Sequence, residues 1–478
     1  MFTWLKNIFL LSIIVILFPA CSIIPWTNPD PDHNGFSDVP FNVQINNTVI
    51  KSIAISEDGM VYATGTTNNP NLGGGEGGVF NDEFSGNGSC FIVKYSPDGE
   101  YLRGTYLATG NGEGIAINSD GNIIIGGATH DLNWPTENAF QPEYHPGSAS
   151  NCFMTKLGPG LKKMYYSTYI GGGSNHPGDS GFGSSVKTVR IDSDDNAYFI
   201  ASSQDNDYPL GESGKSIMGL PDAPNYSVWP MTCAYGCNMR PPVWSRVIVG
   251  KLSPDGDYEG INIGGREPDT TSGPLAVDHN GNIYIGARFK LGGELRFCTT
   301  LGAYRTEAYQ SNQSYFDCAV SKINSDFDDL VYSTYLGGHD QNNMMTGDVK
   351  DGCFIIAGMT RAGDFPVVNP IQHSNNGDYD WTVTKMSVDG KYLEWSTYLG
   401  TRGYDSPSEL RIDEDGRVWI VGLMNGRGTL IRISSDLQRT EEWRDIGGSS
   451  ARCLDLGDGC VVYSISDGHN SWLIKEMR

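Results

Sequence analysis

The 478-residue chain has no basic excess: 33 lysines and arginines stand against 56 aspartates and glutamates, a formal charge of −23. Phosphate backbones are bound through concentrated positive surface, so this balance argues against a nucleic-acid partner. A membrane-spanning run is also missing. The apolar stretch Ile8 to Phe18 falls well short of the ~20 residues a helix needs to cross a bilayer. HExxH, GxSxG and CxxC are absent as well, so no zinc-protease, nucleophile-elbow or dithiol motif names a reaction. Charged residues make up only 19% of the chain, whereas glycine is abundant at 61 residues. That balance describes a turn-rich chain.

The N-terminus has the order of a secretory signal: Lys6, the apolar run, then a small residue before Cys21. Its end, LFPAC, resembles the lipobox of bacterial lipoproteins, with Ala20 preceding a cysteine that is acylated after cleavage. The resemblance implies that residues 1–20 are a lipoprotein signal peptide and that Cys21 carries the lipid, which then is the only link to the membrane. Ser22 is not the aspartate that retains such proteins at an inner membrane. The expected address is the bacterial cell envelope, at the outer membrane where the cell has two. Residues 21–39, with PWTNPDPDHNGFSD, are expected to form a Pro/Asp-rich tether.

From residue 40 one phrase recurs. Its first part is an alternating strand, a tight turn and a second strand, as in IAISEDGMVYATGT from Ile53 and LAVDHNGNIYIGAR from Leu275. The turn is marked by Gly59, Gly121, Asp195, Gly281, Gly352, Gly416 and Gly459, and Asp-Gly or Asn-Gly between alternating apolar residues predicts a hairpin with positive φ at both turn positions. A third strand carries a basic residue at one register: Lys94, Lys156, Lys251, Lys322, Lys385, Arg432 and Lys475. A fourth closes the copy, as in YSTYLGG from Tyr332, but the last copy stops at Arg478 without one. FNVQI from Phe41 alternates and can supply it. Residues 40–478 are therefore expected to form an all-β, seven-bladed β-propeller of four-stranded antiparallel blades, its ring closed by the N-terminal strand.

The phrases VYSTYLGG, GDFPVVNPIQ from Gly363, NWPTENAFQ from Asn133 and VKYSPDG resemble the SBBP-type β-propeller repeats of bacterial exported proteins. The resemblance covers nearly all of residues 50–478. It implies a scaffold and no common reaction.

The extra length falls after the second strand of each copy, at Thr67 to Ser89, His130 to Asn151, Ser203 to Arg246, Phe289 to Asp317 and Arg361 to Asp380. Loops on a rigid scaffold carry function, so the binding face is expected there. The longest contains Tyr208, Tyr226, Trp229, Tyr235 and Trp244, rings suited either to a glycan or to the insertion's own core. Loops after the fourth strand are expected to bring His176, Asp179, Asp269, His339, Asp340 and Asp405 to the channel mouth, as possible acid, base or metal groups. Cys233 with Cys237, and Cys298 with Cys318, are the plausible disulfides in an exported chain.

Three other spellings carry nothing. GESGKS from Gly211 has Pro209 where a phosphate loop needs its first glycine. Gly73, Gly75 and Gly78 lack a βαβ context. Asp192, Asp194, Asp195 and Asn196 lack the rest of an EF-hand and read as a turn. No cofactor and no metal are expected. The sequence favours a non-catalytic, lipid-anchored module that binds a glycan or an envelope protein; the alternative is a propeller enzyme, a hydrolase or lyase acting on polysaccharide.

Overall fold

The computed structural model describes residues 39–86, 88–145, 149–172, 183–203, 208–211, 215–216, 227–228, 246–263, 271–290, 299–309 and 316–478. The signal segment, Cys21 and most of the tether lie outside the described residues.

Those residues fold into strands and turns. β1 (Phe41–Ile45) is followed by β2 (Thr48–Ile55), β3 (Val61–Thr67), the two-residue β4 (Gly74–Gly75), β5 (Ser89–Tyr95), β6 (Tyr101–Ile117), β7 (Ile123–Thr129), β8 (Asn151–Leu157) and β9 (Met164–Ile170). The third repeat supplies β10 (Ser185–Ile191), β11 (Ala197–Ser203), two-residue β12 (Lys215–Ser216) and β13 (Ser227–Val228), β14 (Arg246–Leu252) and β15 (Tyr258–Asn262). The fourth has β16 (Thr271–Val277), β17 (Ile283–Lys290), β18 (Phe316–Ile323) and β19 (Leu330–Leu336), and the fifth β20 (Asn342–Lys350), β21 (Cys353–Thr360), β22 (Asp380–Met386) and β23 (Leu393–Leu399). The sixth has β24 (Asp405–Ile412), β25 (Val418–Met424), β26 (Arg427–Ile433) and β27 (Thr440–Gly447), and the last β28 (Ser450–Gly457), β29 (Cys460–Ser466) and β30 (Ser471–Met477).

The repeats build four-stranded antiparallel blades, to which the third adds the short parallel strands β12 and β13, and the architecture is an all-β propeller. The last blade borrows its fourth strand from the other end of the chain. β1 pairs antiparallel with β30, Phe41 opposite Lys475 and Ile45 opposite Ser471. Where the sequence predicts seven separate blades, the structure separates five. The cause is β6, which runs unbroken for 17 residues. Its first half pairs with β5 and its second half with β7, because no turn interrupts ATGNGEG between the two repeats. The first two repeats thus share one eight-stranded sheet.

The turn chemistry is also simpler than predicted. Between β2 and β3 the loop spans five residues, Ser56 to Met60, Gly59 N donates to the Ser56 carbonyl at 2.8 Å, and Gly59 alone takes positive φ, at 75°. Asp195 fills the same place with φ 63°. The shorter β20–β21 turn puts both residues there, Asp351 at 52° and Gly352 at 74°, as does the β25–β26 turn with Asn425 at 51° and Gly426 at 76°, the conformation favoured in two-residue hairpins.

Apolar side chains of successive blades pack face to face, so the core is a set of clusters at blade interfaces. One joins the last blade to the first, with Ile45, Ile50, Ile53 and Phe91 against Cys453, Val462 and Leu473. Three lysines of the third-strand basic row latch these interfaces. Lys94 Nζ donates to the Pro159 carbonyl of the next repeat at 3.2 Å, Lys156 to Pro254 at 2.9 Å, and Lys475 to Pro97 at 2.9 Å, which again links last to first. Several of the same cations lie over an aromatic ring of the second strand, as Lys322 does 4.9 Å from the Tyr284 centroid.

Cys318 is a free, buried thiol within β18. Its register turns the side chain into the core with Val320, Tyr332 and Met344, so the expected bond to Cys298 does not form. Cys298, Cys233 and Cys237 lie outside the described residues.

Deleting Phe41–Ile45 exposes the edge of β30 and removes buried Ile45 with partly buried Phe41 and Val43. A stability loss of about 3 kcal/mol or more is expected from the apolar burial alone. Thermal unfolding and size-exclusion chromatography of the deletion should show a lower Tm together with strand-edge self-association.

Candidate functional site: the central channel

The first strand of each repeat is the innermost, and these strands follow one another in a cycle. β2 packs on β6, β6 on β10, β10 on β16, β16 on β20, β20 on β24, β24 on β28, and β28 back on β2. An inner strand has one row of backbone groups without a ladder partner, and such groups must be satisfied elsewhere. Here the neighbouring inner strand does so with side chains. Thr346 Oγ1 accepts from Leu410 N at 3.0 Å, Asp348 Oδ2 from Ile412 N at 3.0 Å, and Asp455 Oδ2 from Ile55 N at 2.9 Å.

Every inner strand carries a β-bulge at the same register. The pairing shifts between Ile50 and Ser52, Gly112 and Gly114, Val186 and Thr188, and Ser272 and Leu275. It shifts again between Met344 and Thr346, Pro407 and Glu409, and Ala451 and Leu454. A bulge leaves one residue unpaired and re-aims its side chain. Each shift contributes a residue to one cavity of about 400 Å³ at the centre of the cycle: Lys51, Glu113, Lys187, Pro274, Met345, Ser408 and Arg452. That volume lies within the range of small-molecule sites.

The cavity is positively charged in a strongly acidic chain. Lys51, Lys187, Arg190, Arg288 and Arg452 line it against Glu113 and Glu409, a formal excess of three positive charges. Both acids are engaged. Glu113 pairs with Lys51. Glu409 receives Arg190 Nη2 at 3.2 Å and also pairs with Arg411. Arg411 Nε reaches Asp455 at 3.4 Å, so Arg190, Asp348, Arg411 and Asp455, all at one register, close the tight-turn side of the channel with a charge network. Burial and the Arg411 charge push the Arg190 guanidinium below its usual range. Burial works against the charge on Arg411 too, but Glu409, Asp455 and Asp348 together hold it above that range. Burial raises the Asp455 carboxyl, with Arg411 opposing.

Three cations remain. Lys187 and Arg452 are exposed to the channel and form no ion pair among the described residues. Arg288 lies over the Phe316 ring at 4.2 Å, and its buried Nε has no hydrogen-bond partner there. None of these channel residues was a sequence candidate. The residues in the bulges share no type; the signal that sequence reasoning passed over is the charge at one inner register, Arg190, Asp348, Arg411 and Asp455.

The sequence candidates fall elsewhere. His339 pairs with Asp364, whose Oδ1 also accepts from His339 N at 2.9 Å. Although burial works against it, this pairing holds the Asp364 carboxyl below its usual range. Asp340 is gripped by Arg361 at 2.9 Å. Asp405 is buried and accepts from Thr401 Oγ1 at 3.0 Å and Asn425 N at 2.8 Å, a turn clamp rather than a mouth group. Tyr208 is buried beside Phe199, Leu210 and Tyr258 and is a core ring, not a surface platform. Tyr226, Trp229, Tyr235, Trp244, His176, Asp179 and Asp269 lie outside the described residues. Among the described residues no group of three or more His, Cys, Asp or Glu side chains is placed to hold a metal ion.

The long loops after the second strands do structural work. Glu137 and Ser167 exchange two backbone hydrogen bonds at 3.0 and 2.8 Å, as do Val368 and Ser396 at 3.0 Å. Tyr335 N reaches the Arg305 carbonyl and Tyr106 N the Asn81 carbonyl, each at 3.0 Å. The insertions therefore cover the outer edges of fourth strands, which would otherwise present a row of free backbone groups. Trp134, buried at 3%, anchors one of them by donating Nε1 to Ser167 Oγ at 3.2 Å.

No protein-family model matches the sequence, and no curated protein matches it. Among solved structures the chain is similar to the crystal structure of the WD40 beta propeller domain of Doa1, with a TM-score of 0.46 and 9% identity, over 91% of this chain and 96% of that one. The class that the strand pairing defines is a β-propeller.

Asp317, near the start of β18, provides a pH test of the packing of the fourth repeat. It is buried, and its oxygens accept from Tyr309 N and Cys318 N, each at 3.0 Å. Burial raises its carboxyl to about 6, above the ordinary 3.8. The folded state thus holds this proton more tightly than the unfolded state, so the contribution to stability is full below the ordinary value and is lost as pH rises through about 6. Thermal midpoints measured from pH 4 to 7 should show this falling component in the parent and its loss in Asp317→Asn.

Proposed function

We propose that the protein is a lipid-anchored, exported cell-envelope module that binds a glycan without catalysis, through the central channel of a seven-bladed ring of SBBP-type repeats. The observation that carries the binding reading is the cavity of about 400 Å³ lined by a bulged residue from every repeat. The seven-blade count treats the two halves of β6 as separate blade strands, in keeping with their separate partners β5 and β7. The signal-like N-terminus, Cys21 after LFPA and the absence of an aspartate at Ser22 support lipidation and an outer-membrane address. An enzyme acting on polysaccharide needs an acid and a base that face one substrate. His339, Asp340 and Asp405 are instead each held by a structural partner.

The test is to pass the purified full chain over a panel of immobilised polysaccharides while assaying released chain ends. Retention on at least one polysaccharide with no new ends is the expected result; new ends would make the protein an enzyme, and no retention on any would overturn the glycan reading. In the producing cell, Cys21→Ser should move the protein from the membrane to the soluble fraction. Unchanged membrane association would reject the anchor.

A further inference from the structure

We propose that the channel is an oxyanion site, and that the group it takes is the carboxylate of an acidic sugar. The proposal rests on the channel being the site of glycan binding and names the ligand's charge. Lys187 and Arg452 project from the bulges of two inner strands, and Arg288 adds a guanidinium from β17. All three line one cavity. Its two acids are already consumed, Glu113 by Lys51 and Glu409 by Arg190 and Arg411. The deeper acids Asp348 and Asp455 accept backbone N–H groups of the neighbouring inner strands, and Asp455 also meets Arg411. Among the described residues three cations are thus left lining the same space without an ion-pair partner.

A carboxylate satisfies that arrangement. It accepts several charge-assisted hydrogen bonds at once, and a guanidinium presents its donors in a fork that matches the two oxygens. Inside a walled cavity such bonds are screened less than on an open surface. A chain with a formal charge of −23 repels anions at long range, so a local basic cavity makes anion recognition specific to this one place. The volume admits a sugar-sized ligand and not a folded domain.

The experiment is isothermal titration of the purified full chain with sodium glucuronate, glucose and inorganic phosphate, repeated with Lys187→Gln and Arg452→Gln. Both positions are exposed, so the variants are expected to melt as the parent does. Glucuronate should bind and glucose should not, with each substitution weakening glucuronate by about tenfold or more, the loss typical of a hydrogen bond to a charged group. Phosphate that competes with glucuronate and shows the same dependence on Lys187 and Arg452 would support a site reading the oxyanion itself; phosphate binding alone would remove the sugar and overturn the acidic-sugar assignment. Equal binding of glucose and glucuronate, no binding of either anion, or glucuronate binding indifferent to both substitutions would overturn the oxyanion site. Retention on neutral polysaccharides with no effect of either substitution would leave the glycan-binding reading standing while this proposal falls. Glucuronate binding through Lys187 and Arg452 with no polysaccharide retained would do the reverse.

Discussion

The structure depends on one pairing between the ends of the chain. β1 hydrogen-bonds to β30 from the opposite end of the chain, Phe41 opposite Lys475 and Ile45 opposite Ser471, and without it the last blade ends in a bare edge. Three further contacts secure the same seam: the cluster of Ile45, Ile50 and Ile53 with Val462 and Leu473, the bond from Ile55 N to Asp455, and the reach of Lys475 to Pro97. They act at different radii, the Asp455 bond at the channel and the Lys475 latch farther out. Closure converts a series of sheets, each stable only against its neighbours, into a ring in which every blade has two neighbours.

Closure also sets the chemistry of the centre. Inner strands that converge on one axis present their free backbone edges to one another, and Thr346, Asp348 and Asp455 satisfy part of that demand. The bulge repeated in each inner strand then releases one side chain per repeat from the pleat. Those positions are free of packing duty, so they can carry charge, and here they carry an excess of it. The acidic outer composition and the basic centre are therefore separate properties of one chain.

Much of the fold was legible in the sequence. Alternating apolar residues on both sides of Asp-Gly and Asn-Gly turns located the hairpins, and the unmatched FNVQI segment together with a final repeat lacking a fourth strand located the closure. The fusion at β6 was not legible, because it consists of a missing interruption: ATGNGEG has the glycines of a linker yet stays extended, paired with β5 in its first half and with β7 in its second. Loop length did not reveal the structural part that several insertions play. Insertions such as WPTENAFQ and FPVVNPIQ return as edge cover, and backbone pairing needs no distinctive side chain. The channel was hidden for the same cause in reverse: a bulge is a property of the ladder, and Lys51, Met345 and Ser408 have no residue type in common. Trp134 and the lysine row, read as structural, are placed in the core and at the blade latches.

The central claim is that the bulged residues and Arg288 make the channel a place where an anion resides. Crystals of the full chain soaked in selenate, whose selenium scatters anomalously, test it directly. The account places an anomalous peak inside the channel, between Lys187, Arg288 and Arg452. An occupied outer surface with an empty channel would contradict it.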